Sequence, residues 1–151
     1  MNLNIREATK ADARSMAALR AASIRALCEP DHHGDEAAIK RWVGADDKFE
    51  QLLARDDLTL IAVELDDQLA GLGAMSGDRV TLNYVHPDFR FRGVSKAIMQ
   101  TLESRMVAHG VLRGVLDSSV TALRFYQAIG WKKDGPADPE SGQQPMSKDL
   151  L

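Results

Sequence analysis

The stretch from residue 79 to residue 110 constrains the fold most, because a strand, a short basic turn and an amphipathic helix follow one another directly. "RVTLNYVHP" (79–87) alternates between apolar and polar side chains, which predicts a β-strand. The alternation assigns its side chains to two faces, one with Val80, Leu82 and Tyr84 and the other with Thr81, Asn83 and Val85. Helical spacing then relates four apolar residues, Val94, Ile98, Leu102 and Met106. Gly110 is expected to end that helix.

The turn between the strand and the helix, "RFRGVSK" (90–96), has the chemistry of an anion site. The first N–H groups of a helix lack partners within the helix, and the helix dipole favours a negative charge near them. Gly93 has no Cβ, so the backbone can approach a ligand closely. Arg90, Arg92 and Lys96 add positive charge. The residues therefore predict a phosphate-binding turn, with an ordinary solvated turn as the alternative.

The rest of the chain predicts more strands and helices in mixed order. Strands are expected at residues 3–9, 58–65, 68–76 and 111–116, and two last strands in "WKKDG" (131–135) and "QQPMSKDL" (143–150). Helices are expected after Thr9, after Asp35, around Phe49 to Leu53, and in "DSSVTALRFYQAIGW" (117–131), with Ser118 or Ser119 as the N-cap and Gly130 as the stop. This order indicates an α+β protein, with a mainly antiparallel sheet flanked by helices in a single domain over residues 1–151.

Charge and cysteine content exclude several classes of protein. The chain has 19 Lys and Arg against 22 Asp and Glu, a formal charge of −3, which disfavours a general nucleic-acid binder. Its one cysteine, Cys28, cannot form a disulfide within the chain, and a packed thiol is favoured over a nucleophile. No signal peptide or long apolar run is present. We therefore expect a cytoplasmic protein without nucleic-acid or membrane partners, and a homodimer stays open.

Two blocks of the sequence together resemble the GCN5-related N-acetyltransferase (GNAT) superfamily. The acetyl-CoA loop of that family has the form [QR]-x-x-G-x-[GA], and Arg90, Gly93 and Ser95 occupy its three fixed positions. Ser95 departs from the usual Gly or Ala, but it is small and its hydroxyl could reach a phosphate. "SVTALRFYQAIGW" (119–131) is similar to the family's N-x-x-A-x-x-[FY]-Y-x-x-x-G-F segment, with Ser119 in place of Asn. Because order and spacing also match, the resemblance covers essentially the whole chain.

The resemblance implies the GNAT (acyl-CoA N-acyltransferase) fold, with acetyl-CoA as co-substrate. In that fold the two strands that flank the loop splay apart, and the pantetheine arm pairs with backbone near Asn83. The implied cofactor contacts are Asn83, Tyr84, Val85, Arg90, Phe91, Arg92, Gly93, Val94, Ser95, Lys96, Ser119 and Ala122. Tyr126 matches a tyrosine whose hydroxyl commonly points at the CoA sulfur, so the resemblance implies that it protonates the leaving thiolate. A packed core residue is the alternative.

The implied reaction is direct attack of a primary amine on the thioester in a ternary complex. Family members often carry a carboxylate on the strand before the loop, where this chain has Thr81 and Asn83. Deprotonating a lysine-like amine of pKa ~10.4 at pH 7 costs about 4.6 kcal/mol, so the reaction needs a base, a water chain or a less basic amine. A non-catalytic acyl-CoA-binding module is the rival function that the absent carboxylate keeps open.

The acceptor side is expected in the loop "CEPDHHGDE" (28–36), because GNAT proteins use this loop to line the acceptor pocket. His32, His33 and Trp42 are the expected acceptor-binding residues. His33 is the candidate base, since histidine titrates near neutral pH, and Asp117 or water is the alternative. The acidic loop favours a cationic acceptor, either a small molecule or a peptide. No metal site is expected, because adjacent histidines rarely point at one ion.

Overall fold

One sheet organises the described part of the chain, residues 3–27 and 48–150, in this computed structural model. Its seven strands are β1 (Leu3–Glu7), β2 (Thr59–Leu65), β3 (Gln68–Ser76), β4 (Arg79–Val85), β5 (Arg113–Ser118), β6 (Lys132–Lys133) and β7 (Gln144–Asp149). They lie in the order β1-β2-β3-β4-β5-β7-β6, and only β4 and β5 run parallel. The predicted α+β class, with a mixed and mainly antiparallel sheet flanked by helices, is confirmed.

Four α-helices accompany the sheet in the same ranges: α1 (Ala13–Leu27), α2 (Lys48–Leu53), α3 (Val94–Ala108) and α4 (Leu123–Ala128). None of them has the length and apolarity needed to cross a membrane. The helix predicted after Asp35 lies outside the described residues. Helix α4 starts later than predicted, because Ser118 is still part of β5. The Ser119 hydroxyl instead accepts the N–H of Ala122 at 3.2 Å and holds the turn before α4.

The apolar residues of the sheet divide between two helical layers. Ile61 and Val63 of β2 pack with α3, whereas Leu60 and Ala62 pack with α1 and α2. This is the period-two alternation of a strand that is buried on both faces. The two sides are named the α3 face and the α1 face. The predicted stripe of α3, Val94, Ile98, Leu102 and Met106, is buried on the α3 face as expected.

Two glycines of β3 let α3 lie directly on the sheet. A Cβ on Gly71 would be 2.6 Å from Val94 Cγ1, and a Cβ on Gly73 would be 2.3 Å from Ile98 Cγ2. Both distances are shorter than carbon atoms tolerate. The missing side chains therefore fix the depth at which the start of α3 sits beside β4.

An ion-pair network ties the start of α1 to the outer edge of the sheet. The Arg6 guanidinium on β1 binds Asp12 at 2.7 Å and Glu64 of β2 at 2.5 Å. The Asp12 carboxylate also accepts the N–H of Thr9 at 2.8 Å, in the turn that leads into α1. The hydrogen bond from Arg6 is the main cause that lowers the pKa of Asp12 to about 2.

A β-bulge in β4 reverses the side-chain alternation. Ala74 of β3 is paired with Leu82, but the next residue, Met75, is paired with Val80, so Thr81 is an extra residue in β4. Val80 therefore packs on the α3 face, whereas Leu82 and Tyr84 pack on the α1 face. The prediction that Val80, Leu82 and Tyr84 share one face is wrong, because simple alternation takes no account of an inserted residue.

Candidate active site

A cleft opens where β4 and β5 separate. The two strands pair only at Arg79 and Val115, where the Val115 N–H donates to the Asp78 carbonyl at 2.8 Å. Beyond that point they diverge around a cavity of about 400 Å³, here named the interstrand cleft. Ser23 of α1 lines it from one face of the sheet, and Tyr126 of α4 lines it from the other. Residues from both faces of the sheet thus meet around one cavity.

The turn at the mouth of the cleft contains two residues with left-handed backbone conformation, Phe91 (φ 61°) and Gly93 (φ 79°). A Cβ on Gly93 would meet nothing within 4 Å. Glycine is therefore favoured there by backbone conformation and by access from outside, not by packing within the protein. Gly93 is the N-cap of α3, and the first turn of α3 faces the cleft. Its N–H groups, which an α-helix leaves without intrahelical partners, suit an anion.

The same turn carries a concentration of positive charge. Arg90, Arg92 and Lys96 are all exposed. Within residues 3–27 and 48–150, none of the three forms an ion pair. The Arg90 guanidinium lies 5.5 Å from the ring centroid of Phe91, a side chain that is 96% exposed. The charge of the turn is thus directed outward, to the place where a bound anion would lie.

Three polar side chains meet inside the cleft. The Asn83 side-chain amide donates from Nδ2 to the Tyr126 hydroxyl oxygen at 3.1 Å and to Ser95 Oγ at 3.0 Å. Ser95 Oγ also donates to Asn83 Oδ1 at 3.1 Å. The hydroxyl of Ser95 is therefore engaged with β4. The expectation that it could reach a phosphate receives no support from this arrangement.

The position of Tyr126 is compatible with both roles suggested for it, a packed core residue and a proton donor in the cleft. Its ring packs edge-on against Phe125 and Trp131, with centroid distances of 5.2 and 6.4 Å, and the residue is 7% exposed. Its hydroxyl nevertheless reaches Asn83, and the residue lines the cleft. A core position fixes the ring, and that position directs the polar end toward the cavity.

Asp117, the alternative base, lines the closed end of the cleft. Its carboxylate pairs with the Arg79 guanidinium at 3.0 Å, and both side chains are about half exposed. A proton accepted by Asp117 would weaken this pair, so the alternative role as base competes with the ion pair.

Several residues that line the cleft were missed by the sequence analysis. They are Ser23, Val80, Leu82, Phe89, Leu116, Thr121, Phe125 and Gln143. Ser23 is only 3% exposed and falls on the buried stripe of α1, one helical turn after Leu19. A polar residue on an apolar stripe is a signal that could have identified it. One turn earlier, the buried Arg20 lies over the Tyr84 ring, 5.5 Å from its centroid.

The structure brings most of the predicted site residues together. Those that line the cleft are Asn83, Tyr84, Val85, Arg90, Phe91, Gly93, Val94, Ser95, Lys96, Ser119, Ala122 and Tyr126. Arg92 lies in the same turn but does not line the cleft. His32, His33, Trp42, Cys28 and Asp35 lie outside the described residues, so the roles suggested for them stay predictions. Residues 3–27 and 48–150 contain no cluster of acidic, histidine or cysteine side chains that could hold a metal ion.

Comparison with known proteins agrees with this geometry. The family described as "Acetyltransferase (GNAT) domain" matches residues 28–150. A GCN5-related N-acetyltransferase from Rhodopseudomonas palustris, also described as a class II aminotransferase, is 26% identical with a TM-score of 0.86, covering 99% of this chain and 96% of that one. The PaiA N-acetyltransferase from Thermoplasma acidophilum, solved with coenzyme A, is 19% identical with a TM-score of 0.81, covering 99% of both chains.

A third similar structure is the ribosomal-protein-S18-alanine N-acetyltransferase from Escherichia coli, at 15% identity and a TM-score of 0.69, with 99% of this chain and 94% of that one covered. The two structures below 25% identity show the shared fold alone. The family match extends over most of the sequence and includes the strand–turn–helix unit and the α4 segment. The chain therefore belongs to the GNAT acetyltransferase family.

Proposed function

We propose that the protein transfers an acetyl group from acetyl-CoA to a primary amine while both are bound. Family membership assigns acyl transfer as the general activity. The observation that carries the finer proposal is the interstrand cleft, which joins the basic turn at the start of α3 to the hydroxyl of Tyr126 and is lined from both faces of the sheet. A cofactor and an acceptor can therefore meet within it.

The proposed cofactor position follows from charge and backbone. The pyrophosphate would lie against Gly93 and the first turn of α3, where unpartnered N–H groups and exposed cations favour it. The pantetheine arm would run along the edge of β4 that β5 leaves after Arg79, and it would pair with the backbone there as an added strand does. These features fit acetyl-CoA, which supplies an activated acyl group as a thioester.

The proposed reaction is a direct transfer. The amine nitrogen attacks the thioester carbonyl, a C–N bond forms, and the C–S bond breaks. The Tyr126 hydroxyl donates a proton to the departing sulfur. The amine loses a proton to a base or to water, and a proton returned by that route restores the Tyr126 hydroxyl. A thiol of pKa ~8.5 is a fair leaving group, so a phenol needs only to assist its departure.

The acceptor is proposed to approach from the α1 face, where Ser23 lines the cleft. The ribosomal-protein-S18-alanine N-acetyltransferase from Escherichia coli is named for a protein acceptor. A small-molecule amine is the other acceptor that the sequence leaves open, so both kinds of amine belong in a test. The predicted acidic loop of residues 28–36 favours a cationic amine among them.

A thiol-release screen tests the proposal. Acetyl-CoA is incubated with the protein and, separately, with spermidine, an aminoglycoside, a free amino acid and a peptide with an unblocked N-terminus. We expect stoichiometric CoA release with at least one amine and none without amine. Acetyl-CoA binding without release would instead support the non-catalytic acyl-CoA-binding module, and no binding would overturn both functions.

The base of the proposed reaction is His33, with Asp117 and water as alternatives. If His33 is the base, the rate rises with pH through the imidazole range near ~6.5, and His33→Ala removes that limb. A pH profile of His33→Ala that overlays the wild-type profile would contradict the assignment. His32→Ala is the matched control for the neighbouring histidine.

A further inference from the structure

We infer that Asn83 is a positioning residue: its side-chain amide makes the Tyr126 oxygen a hydrogen-bond acceptor, so that the hydroxyl hydrogen is directed away from the amide nitrogen. The inference rests on the proposed function, in which Tyr126 protonates the departing sulfur. It gives the Asn83 side chain a role separate from the backbone contacts implied for this part of β4.

The argument starts from which atoms can donate. Nδ2 of Asn83 lies 3.1 Å from the Tyr126 hydroxyl oxygen and carries hydrogens but no lone pair that could accept one. A phenol has a single hydrogen. Because Tyr126 accepts from Asn83, it cannot spend that hydrogen on the same contact, and the hydrogen has to point elsewhere. Proton donation to a leaving group requires this polarity.

Ser95 restrains the Asn83 side-chain amide, which sets the direction of the hydrogen bond to Tyr126. Its Oγ accepts from Nδ2 at 3.0 Å and donates to Oδ1 at 3.1 Å, so it holds both ends of the Asn83 side chain. These bonds cross from α3 to β4, and Tyr126 adds α4 to the same network. Ser95 stands where the family motif has Gly or Ala, which could not make these bonds. The departure from the motif thus has a structural purpose.

The inference also explains why β4 carries an amide here instead of a carboxylate. An aspartate at position 83 would have the same shape but only acceptor atoms when ionised. It would take the Tyr126 hydrogen for itself. At this position of β4, next to this tyrosine, a donor serves the reaction and an ionised acceptor opposes it.

The first test is Asn83→Asp, with Asn4→Asp as the matched control, because Asn4 is an exposed residue of β1 remote from the cleft. We expect kcat for Asn83→Asp to fall by ~10²-fold, the usual size of an acid–base contribution. KM for acetyl-CoA should change by less than about threefold, because the loss concerns the chemical step. The ratio of wild-type kcat to Asn83→Asp kcat should shrink as the pH falls, because the new carboxyl gains a proton that it can donate, although both rates decrease in acid. Unchanged kcat in Asn83→Asp would overturn the inference.

The second test is a double-mutant cycle. If Asn83 acts through the Tyr126 hydroxyl, Asn83→Asp should cost no further kcat in a Tyr126→Phe background. Independent losses that multiply would overturn the inference and leave Asn83 as a structural residue. The assays use acetyl-CoA with the amine that gives the fastest CoA release in the thiol-release screen.

A third measurement needs no acceptor and separates this inference from the proposed function. The side-chain amide hydrogens of Asn83 are followed by ¹H–¹⁵N NMR in the wild-type protein and in Tyr126→Phe. Loss of the hydroxyl acceptor should shift one of the two Nδ2 hydrogens upfield, with little change in the backbone spectrum. No shift would overturn the inference even if the screen finds an acceptor. A shift without any CoA release would place the failure in the proposed function.

Discussion

The two edges of β4 differ in how far they are paired with their neighbouring strands. One edge is paired with β3 from Arg79 to Val85, interrupted only by the bulge at Thr81. The other edge is paired with β5 at Arg79 alone. The same strand is therefore held by β3 along one side and has no strand partner on the other side after Arg79. Its paired edge supplies rigidity, and its open edge lines the interstrand cleft.

The open edge has a physical consequence for binding. Backbone N–H and C=O groups that are removed from water need partners, and β5 does not provide them beyond Arg79. A ligand with amides of its own, laid along β4, would provide them. We propose that the incomplete pairing leaves room for a strand-like molecule along β4, and four predictions test how far the two edges differ from each other and from the rest of the sheet.

A substitution in β3, the strand along the paired edge of β4, should have the largest effect on stability. Gly73→Val would place side-chain atoms where a Cβ alone is 2.3 Å from Ile98, and we expect the free energy of unfolding to fall by about 3 kcal/mol or more. Urea unfolding measures it. Adding Ile98→Ala creates space, so the double variant should recover part of the stability that Gly73→Val loses. A stable Gly73→Val protein would show that α3 can move away from the sheet.

Removing the Tyr126 hydroxyl, which faces the open edge of β4, should leave the fold intact and slow the reaction. Tyr126→Phe keeps the ring contacts with Phe125 and Trp131, so its melting temperature should stay close to that of the wild type. Turnover should fall by ~10²-fold or more, with a much smaller change in acetyl-CoA affinity. Steady-state kinetics and titration of acetyl-CoA measure the two. Wild-type turnover in Tyr126→Phe would show that Tyr126 is a packed core residue and not the proton donor.

Changing Gly93, in the turn at the mouth of the interstrand cleft, should remove the stabilisation that acetyl-CoA gives. Acetyl-CoA at ~100 times its Kd should raise the stability of the wild type by about 2.7 kcal/mol. Gly93→Glu should lose this gain, because it adds a negative charge and a side chain where the phosphates would lie. Gly110→Glu is the matched control, since Gly110 also has positive φ and open space around its Cβ but lies at the far end of α3. Equal gains in both variants would locate the cofactor elsewhere.

The smallest effect is expected at the outer edge of the sheet, far from the cleft. The pKa of Asp12 is lowered to about 2, mainly by Arg6, so this carboxylate stabilises the fold at pH values above about 4. The contribution is lost as the pH falls toward 2. Asp12→Asn should therefore cost about 1–2 kcal/mol at neutral pH and progressively less in acid, with turnover unchanged. A loss that stays constant with pH would contradict the linkage.

Local sequence patterns predicted the elements that depend on neighbours in the chain. The stripe of α3 is observed, and so are the predicted strands, with boundaries that differ by up to two residues. Gly93, which the sequence analysis singled out for its lack of a Cβ, has a positive φ that favours glycine. These features follow from periodicity and from backbone preferences, which a single sequence expresses directly.

The features that were missed depend on residues distant in sequence. The bulge at Thr81 is defined only by its register against β3, and Ser23 joins the cleft because α1 covers the opposite face of the sheet. The bond between Asn83 and Tyr126 spans 43 residues. No local pattern encodes which atom of the Asn83 amide faces the tyrosine. The roles proposed for the site residues stay predictions until they are measured.

The close seating of α3 on Gly71 and Gly73 has a consequence for how fast a ligand can bind. A helix start that is already in place loses little conformational entropy when an anion arrives. Association should then be limited by diffusion and by attraction to the basic turn, and not by a slow opening step. We therefore expect the association rate of acetyl-CoA to fall as ionic strength rises. The dissociation rate should change far less.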